Sequence, residues 1–202
     1  MMLVEETPVL ADVLPVSRLG DQLRLGTGFA DDGLQDSLLE AVLRAAIAAI
    51  EARTDKILFQ REFSLTASRW ATVDGSDGLV LPIAPVRDVL SVEVLSANGT
   101  VTAVASERYV FRPDLSRPWV VSVGHSLPAI PTKGHARIRF TAGYGEAWTA
   151  IPADFQQAVM LLAAHYYEYR NDAEGAAKVM PFGVAALIER HRWIRLAMGR
   201  RT

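Results

Sequence analysis

The sequence predicts an α+β protein in which helices form one lobe and an antiparallel β insert separates the first long helix from the second. Three patterns point there. Residues 34–54 and 152–170 carry apolar side chains at three- and four-residue steps, the period of a helix face. Between them, residues 59–142 hold short alternating runs broken by Pro and Gly, as half-buried strands and their turns require. The chain has 202 residues and is 50% hydrophobic, so it can bury a sizeable core as one domain or as two interlocked lobes.

Residues 1–14 read as an extended arm without periodicity. Pro15 and Ser17 open a short helix to about Leu25, with Leu19, Leu23 and Leu25 facing inward. A polar link over 26–33 leads into the first long helix, Leu34 or Gln35 to about Thr54. Leu38, Leu39, Val42, Leu43, Ile47 and Ile50, with a run of alanines, cover most of its circumference, and Glu40, Arg44 and Glu51 mark a narrow wet stripe. Glu40 and Arg44 have the spacing of a helix ion pair. A helix apolar nearly all round needs cover on more than one side. In so small a chain, that predicts contact with a neighbouring copy.

From Phe59 the period becomes two. Phe63, Leu65 and Ala67 alternate with polar residues, 74–78 supplies a turn, and Val89 to Leu95 is a strand. Asn98-Gly99 then signals a hairpin back through Val101 to Val104. Tyr109 to Phe111, Trp119 to Val123 and His135 to Ala142 complete an antiparallel set. In the last of these, Arg137, Arg139 and Thr141 alternate with Ile138, Phe140 and Ala142, and Gly143-Tyr144-Gly145 forms a joint. Pro152 and Asp154 open the second long helix, where Phe155, Ala158, Val159, Leu162, Tyr166 and Tyr169 share a face. A polar link precedes Pro181-Phe182-Gly183 and a last helix from about Val184. The expected organisation is an arm (1–14), a helical lobe (15–58 and 150–187), a β insert (59–149) and a basic C-terminal extension (188–202).

Composition narrows the function. Apolar runs such as Ala45 to Ile50 are far too short to span a membrane. Without cysteine there is neither a disulfide frame nor a thiolate site. His125, His135, His165 and His191 lie in different elements and form no HExxH pair; His165 reads as a packed structural histidine. Gly143-Tyr144-Gly145 lacks the further residues of a phosphate loop, and no Gly-x-Ser-x-Gly elbow occurs. The expectation is therefore no enzyme and no cofactor. A hydrolase would need a carboxylate pair in a cleft, and Asp114 with Glu107 has only composition in its favour. The start MMLVEETPVL lacks the pattern of a secretory signal, so the expected compartment is the cytoplasm.

Net charge is −2, but it is unevenly placed: Glu5, Glu6, Asp12, Asp21 and Asp36 lie in front, and Arg190, Arg192, Arg195, Arg200 and Arg201 behind. That asymmetry fits an acidic partner, head-to-tail contact between copies, or a DNA-binding module using the basic C-terminal helix on phosphates. At 100° per residue, Val184, Leu187, Ile188, His191, Ile194 and Met198 fall on one stripe, whereas Trp193 and Leu196 point away. Trp193 and Leu196 among Arg190, Arg192, Arg200 and Arg201 make the mixed aromatic and arginine surface enriched at protein interfaces.

Taken in order, Pro15-Val16-Ser17, the acid-led helix ending Glu51-Ala52-Arg53-Thr54, LPIAPVRDVLSVEVLSANG, RFTAGYG, IPADFQQAVMLLAAHYYEYR and MPFGVAAL resemble the phage head–tail connector family, in particular the adaptor of gene transfer agents. The resemblance covers about Pro15 to Leu187. It implies an architectural subunit, assembled in the bacterial cytoplasm, that forms a ring of about twelve copies in the neck of the particle. The implied partners are the portal protein, a tail or stopper protein, further copies of the chain, and packaged DNA passing through the channel without sequence-specific binding. The extension lies beyond the resemblance, and its own residues make the expected portal contacts Arg190, Arg192, Trp193, Leu196, Arg200 and Arg201; the contacts between copies are expected at Leu43, Ile47 and Tyr167.

Overall fold

The computed structural model describes residues 1–25, 34–73, 75–124, 126–170 and 179–192. In chain order the elements are β1 (Met2–Glu5), α1 (Val16–Gln22), α2 (Leu34–Thr54), β2 (Arg61–Ala67), β3 (Ala71–Val73), β4 (Ser76–Val80), β5 (Val86–Leu95), β6 (Val101–Ala103), β7 (Tyr109–Arg112), β8 (Trp119–Ser122), β9 (His135–Ala142), α3 (Ala153–Glu168) and α4 (Phe182–Glu189). Two units emerge: Met1–Leu14 with Lys56–Pro152, and Pro15–Asp55 with the residues from Ala153 onward.

The first unit holds two antiparallel sheets, ordered β1-β2-β9-β5-β6 and β3-β4-β8-β7. Alternation decides which side chains meet. Phe63, Leu65, Ile138, Phe140, Val92 and Val94 of the first sheet join Leu79 and Val120 of the second in one apolar core. Phe63 pairs in register with Phe140, and their rings stack 6.0 Å apart. The polar partners on β9 are held by ion pairs, Arg137 with Glu93 and Arg139 with Glu62 at 3.0 Å. Burial raises the Glu93 carboxyl, but hydrogen bonds from Arg137 and Ser91 and the arginine charges outweigh it and hold Glu93 below its usual value.

The arm is more ordered than its composition predicts. β1 pairs antiparallel with β2, from Met2 opposite Thr66 to Glu5 opposite Phe63. The Glu6 N–H continues the ladder to the Glu62 carbonyl at 2.8 Å, and Glu5 pairs with the buried Arg61 at 2.9 Å. Residues 1–14 are therefore part of the β unit, and the strand set is two sheets rather than a single series.

The second unit is helical. In α2, Leu39, Val42, Leu43, Ala46, Ile47 and Ile50 are buried and form one stripe. The exposed positions along it include Ala41, Ala45, Ala48 and Ala52. Alanine is the best helix former and carries little apolar area, so the all-round apolar reading overstates the surface that needs cover. Arg44 donates to Glu40 at 2.7 Å, the pair expected from the spacing. In α3, Phe155, Ala158, Val159, Leu162 and Ala163 are buried. The stripe then fades, with Tyr166 half-buried and Tyr169 exposed. In α1 only Leu19 is buried; Leu23 and Leu25 are half-buried.

Candidate functional site

Within the β unit the joint after β9 is held from several sides. The Gly143 N–H donates to the Pro85 carbonyl at 2.8 Å, Tyr144 N–H to Leu58 at 3.2 Å, and Gln60 N–H to Gly145 at 2.8 Å. Arg87 closes the other side, its Nε donating to the Gly143 carbonyl at 3.2 Å and its Nη2 to that of Tyr144. Gly143 has φ +132°, and a Cβ there would lie 2.5 Å from Gln60 Cα, Gln60 N and Phe59 C. Only glycine lets the two backbones approach so closely. Sequence reasoning found the glycines but not Arg87, which lies far from them in the chain.

In the helical unit the C-terminal side of α4 is fastened to the start of α3. Asp154 Oδ2 meets both His191 Nε2 and an Arg190 guanidinium nitrogen, and its Oδ1 accepts the Phe155 N–H at 3.0 Å. A proton on His191 Nε2 donated to Asp154 leaves no lone pair there for the nearby Arg190 Nε, so the guanidinium serves the carboxylate directly. Burial raises the Asp154 carboxyl, but the His191 hydrogen bond and charge, the Phe155 N–H and Arg190 together hold it below the ordinary carboxylate range. The His191 ring also packs 4.2 Å from that of Phe155. The expected helix-dipole role of Asp154 is thus joined by a second one: it fixes where the C-terminal extension begins.

Of the six residues expected to meet the portal, Arg190 and Arg192 lie in the turn after α4, where Arg192 pairs with Glu189 at 3.1 Å. Trp193, Leu196, Arg200 and Arg201 lie outside the described residues. Leu43 and Ile47, expected between copies, are buried within the chain itself. Their side chains face its own core, not an outer surface. Tyr167 is half-buried, with the Arg170 guanidinium 4.4 Å above its ring. His165 is half-buried beside Tyr169, ring centroids 4.7 Å apart.

Among the described residues no group of His, Asp and Glu could hold a metal ion, and no helix is long and apolar enough to cross a membrane. Asp114 has a structural task. It accepts the N–H groups of Ser116 and Arg117 at 2.7 and 2.6 Å, and those bonds hold its carboxyl below the usual value.

No family model and no curated protein matches the chain. Solved structures do. A chain in the neck of an empty gene transfer agent particle, computed with C6 symmetry, is 50% identical over 100% of both chains with a TM-score of 0.87. One in the virion of a native gene transfer agent particle is 49% identical over 100% of both, with a TM-score of 0.84. One in the neck of a native particle, computed with C12 symmetry, is 44% identical over 100% of both, with a TM-score of 0.81. The fold is thus that of a structural component of a phage-like particle's neck, which weighs against an enzyme. The chain belongs to the head–tail connector family of gene transfer agents.

Proposed function

We propose that the chain is the adaptor subunit of that neck: copies form a ring between portal and tail and leave a central channel for DNA. The supporting observation is the full-length likeness, at 44–50% identity, to neck chains in particles treated with C6 and C12 symmetry. A ring of one repeated subunit meets that symmetry through heterologous contacts. The C-terminal extension is the portal contact in this reading, with Trp193 as its anchor and Arg190, Arg192, Arg200 and Arg201 facing acidic portal groups. The Asp154–His191 fastening gives that extension a fixed point of departure.

The test is removal of the extension. A cut after Leu187 would take away Ile188, which is fully buried, together with His191, and so would damage the helical unit as well. The cut therefore belongs after Arg192. The shortened chain should keep its circular dichroism and melting temperature, lose portal attachment, and yield DNA-filled heads without tails. Portals decorated by the shortened chain at full occupancy would place the portal contact elsewhere in the subunit.

A further inference from the structure

Phe182 is 88% exposed, more than any other large hydrophobic residue among those described. It cannot turn inward cheaply. Val184 and Ile188, both fully buried, fix the phase of α4, and two residues along a helix from Val184 is the opposite face. Pro181 at the N-cap, with φ −57°, and the Ala185 N–H donated to the Pro181 carbonyl at 3.0 Å hold the first turn. A Cβ added at the adjoining Gly183 would meet nothing within 4 Å. The ring therefore projects as an exposed apolar knob from a turn whose phase is set.

The β unit carries a surface of the opposite shape. A groove of about 460 Å³ runs along the arm, lined by Pro8, Val9, Leu10, Val13 and Phe59 with Glu146 beside them. Phe59 is buried and forms its floor, while Leu10, 64% exposed, stands at its rim. The arm is held in place by the pairing of β1 and by Thr7, whose Oγ1 accepts the Glu62 N–H at 2.9 Å. Phe59 is supported by Trp148, ring centroids 6.2 Å apart. The groove is built rather than improvised by a loose segment.

We infer that Phe182 of one subunit inserts into the arm groove of the next, so that the N-terminal arm and the start of α4 form the contact between copies. This rests on the ring reading above. Knob and groove are different surfaces, so their pairing repeats head to tail and makes a ring where the rotation closes, whereas a two-fold dimer needs one self-complementary patch. The cyclic symmetry of the related necks is the closed form of such a pairing. An aromatic anchor entering an apolar pocket is also the usual centre of a strong interface.

The chain has no cysteine, so the only thiols it brings are those introduced. Glu146→Cys beside the groove and Ala186→Cys, one turn on from Phe182, are introduced together, and the full chain is assembled on portal-bearing heads and treated with a short thiol-to-thiol cross-linker. A ladder of covalent multimers rising to the ring size is expected. Adding Phe182→Ser should leave the circular dichroism unchanged and abolish the ladder. Intact rings in micrographs without a ladder, or a ladder that survives Phe182→Ser, would overturn the inference while leaving the ring standing. Absence of any ring beneath the portal would overturn the ring reading, and this contact with it.

Discussion

Gly143→Val is expected to destabilise the β unit by about 3 kcal/mol or more, combining a disfavoured backbone conformation with an overlap that cannot relax. For a chain of this length that corresponds to a fall of about 10 °C in melting temperature. The reason is local. At φ +132° a side chain is strained, and the atoms 2.5 Å from its Cβ are the backbone of Phe59 and Gln60, not the end of a flexible side chain. Relief would require β2 to separate from the joint, breaking the Gln60 to Gly145 and Tyr144 to Leu58 hydrogen bonds. Gly145→Val adds a second overlap, since a Cβ there would lie 2.5 Å from the Ala150 methyl. Gly183→Ala is the control: nothing lies within 4 Å of the added methyl, so no loss of stability is expected. A calorimetric melt unchanged by Gly143→Val would show that the joint does not need glycine.

In the helical unit the largest effect is expected from Phe155→Ala, a loss of about 3–5 kcal/mol. Phe155 is fully buried near Ala158 and Val159, residues too small to fill the cavity by rotamer change alone. It also supports the His191 ring at 4.2 Å, so its removal loosens the fastening of α4 to α3 as well as the core. A urea titration should show a clearly lowered midpoint. His191→Phe keeps the ring stacking but leaves the Asp154 carboxylate without that hydrogen bond, so its smaller cost reports the polar part alone. A shift below about 1 kcal/mol for Phe155→Ala would mean that the core recloses around the gap.

What the sequence revealed divides along a physical line. Period-two alternation in 61–67 and 135–142 and period-3.6 stripes in 34–54 and 153–163 are local signals, and each produced the element it predicted. Asn98-Gly99 marked its hairpin for the same reason, with Gly99 at φ +87°. Pairings between distant segments left no local trace. Met2 to Glu5 carries too short a run to show a period, and its strand exists because β2 offers a partner some sixty residues later. The fastening of Asp154 to His191 and the grip of Arg87 on the joint are of this kind too.

The interface residues show a different limit. Leu43 and Ile47 were expected between copies because α2 is apolar by composition, yet composition does not separate a leucine stripe from the alanines opposite it. Phe182 lies within Pro181-Phe182-Gly183, a motif that does not by itself tell which way the ring points. Its position opposite Val184 and Ile188 becomes visible only once those two are known to be the buried pair.

The most direct test of the neck assignment is cryo-electron microscopy of particles whose copy of this chain carries a small C-terminal or loop-borne label, reconstructed without imposed symmetry and then with the cyclic symmetries of the related necks. The predicted result is a closed ring of label density between portal and tail, around an open channel. Label on the capsid shell, on the distal tail or nowhere in the particle would contradict it.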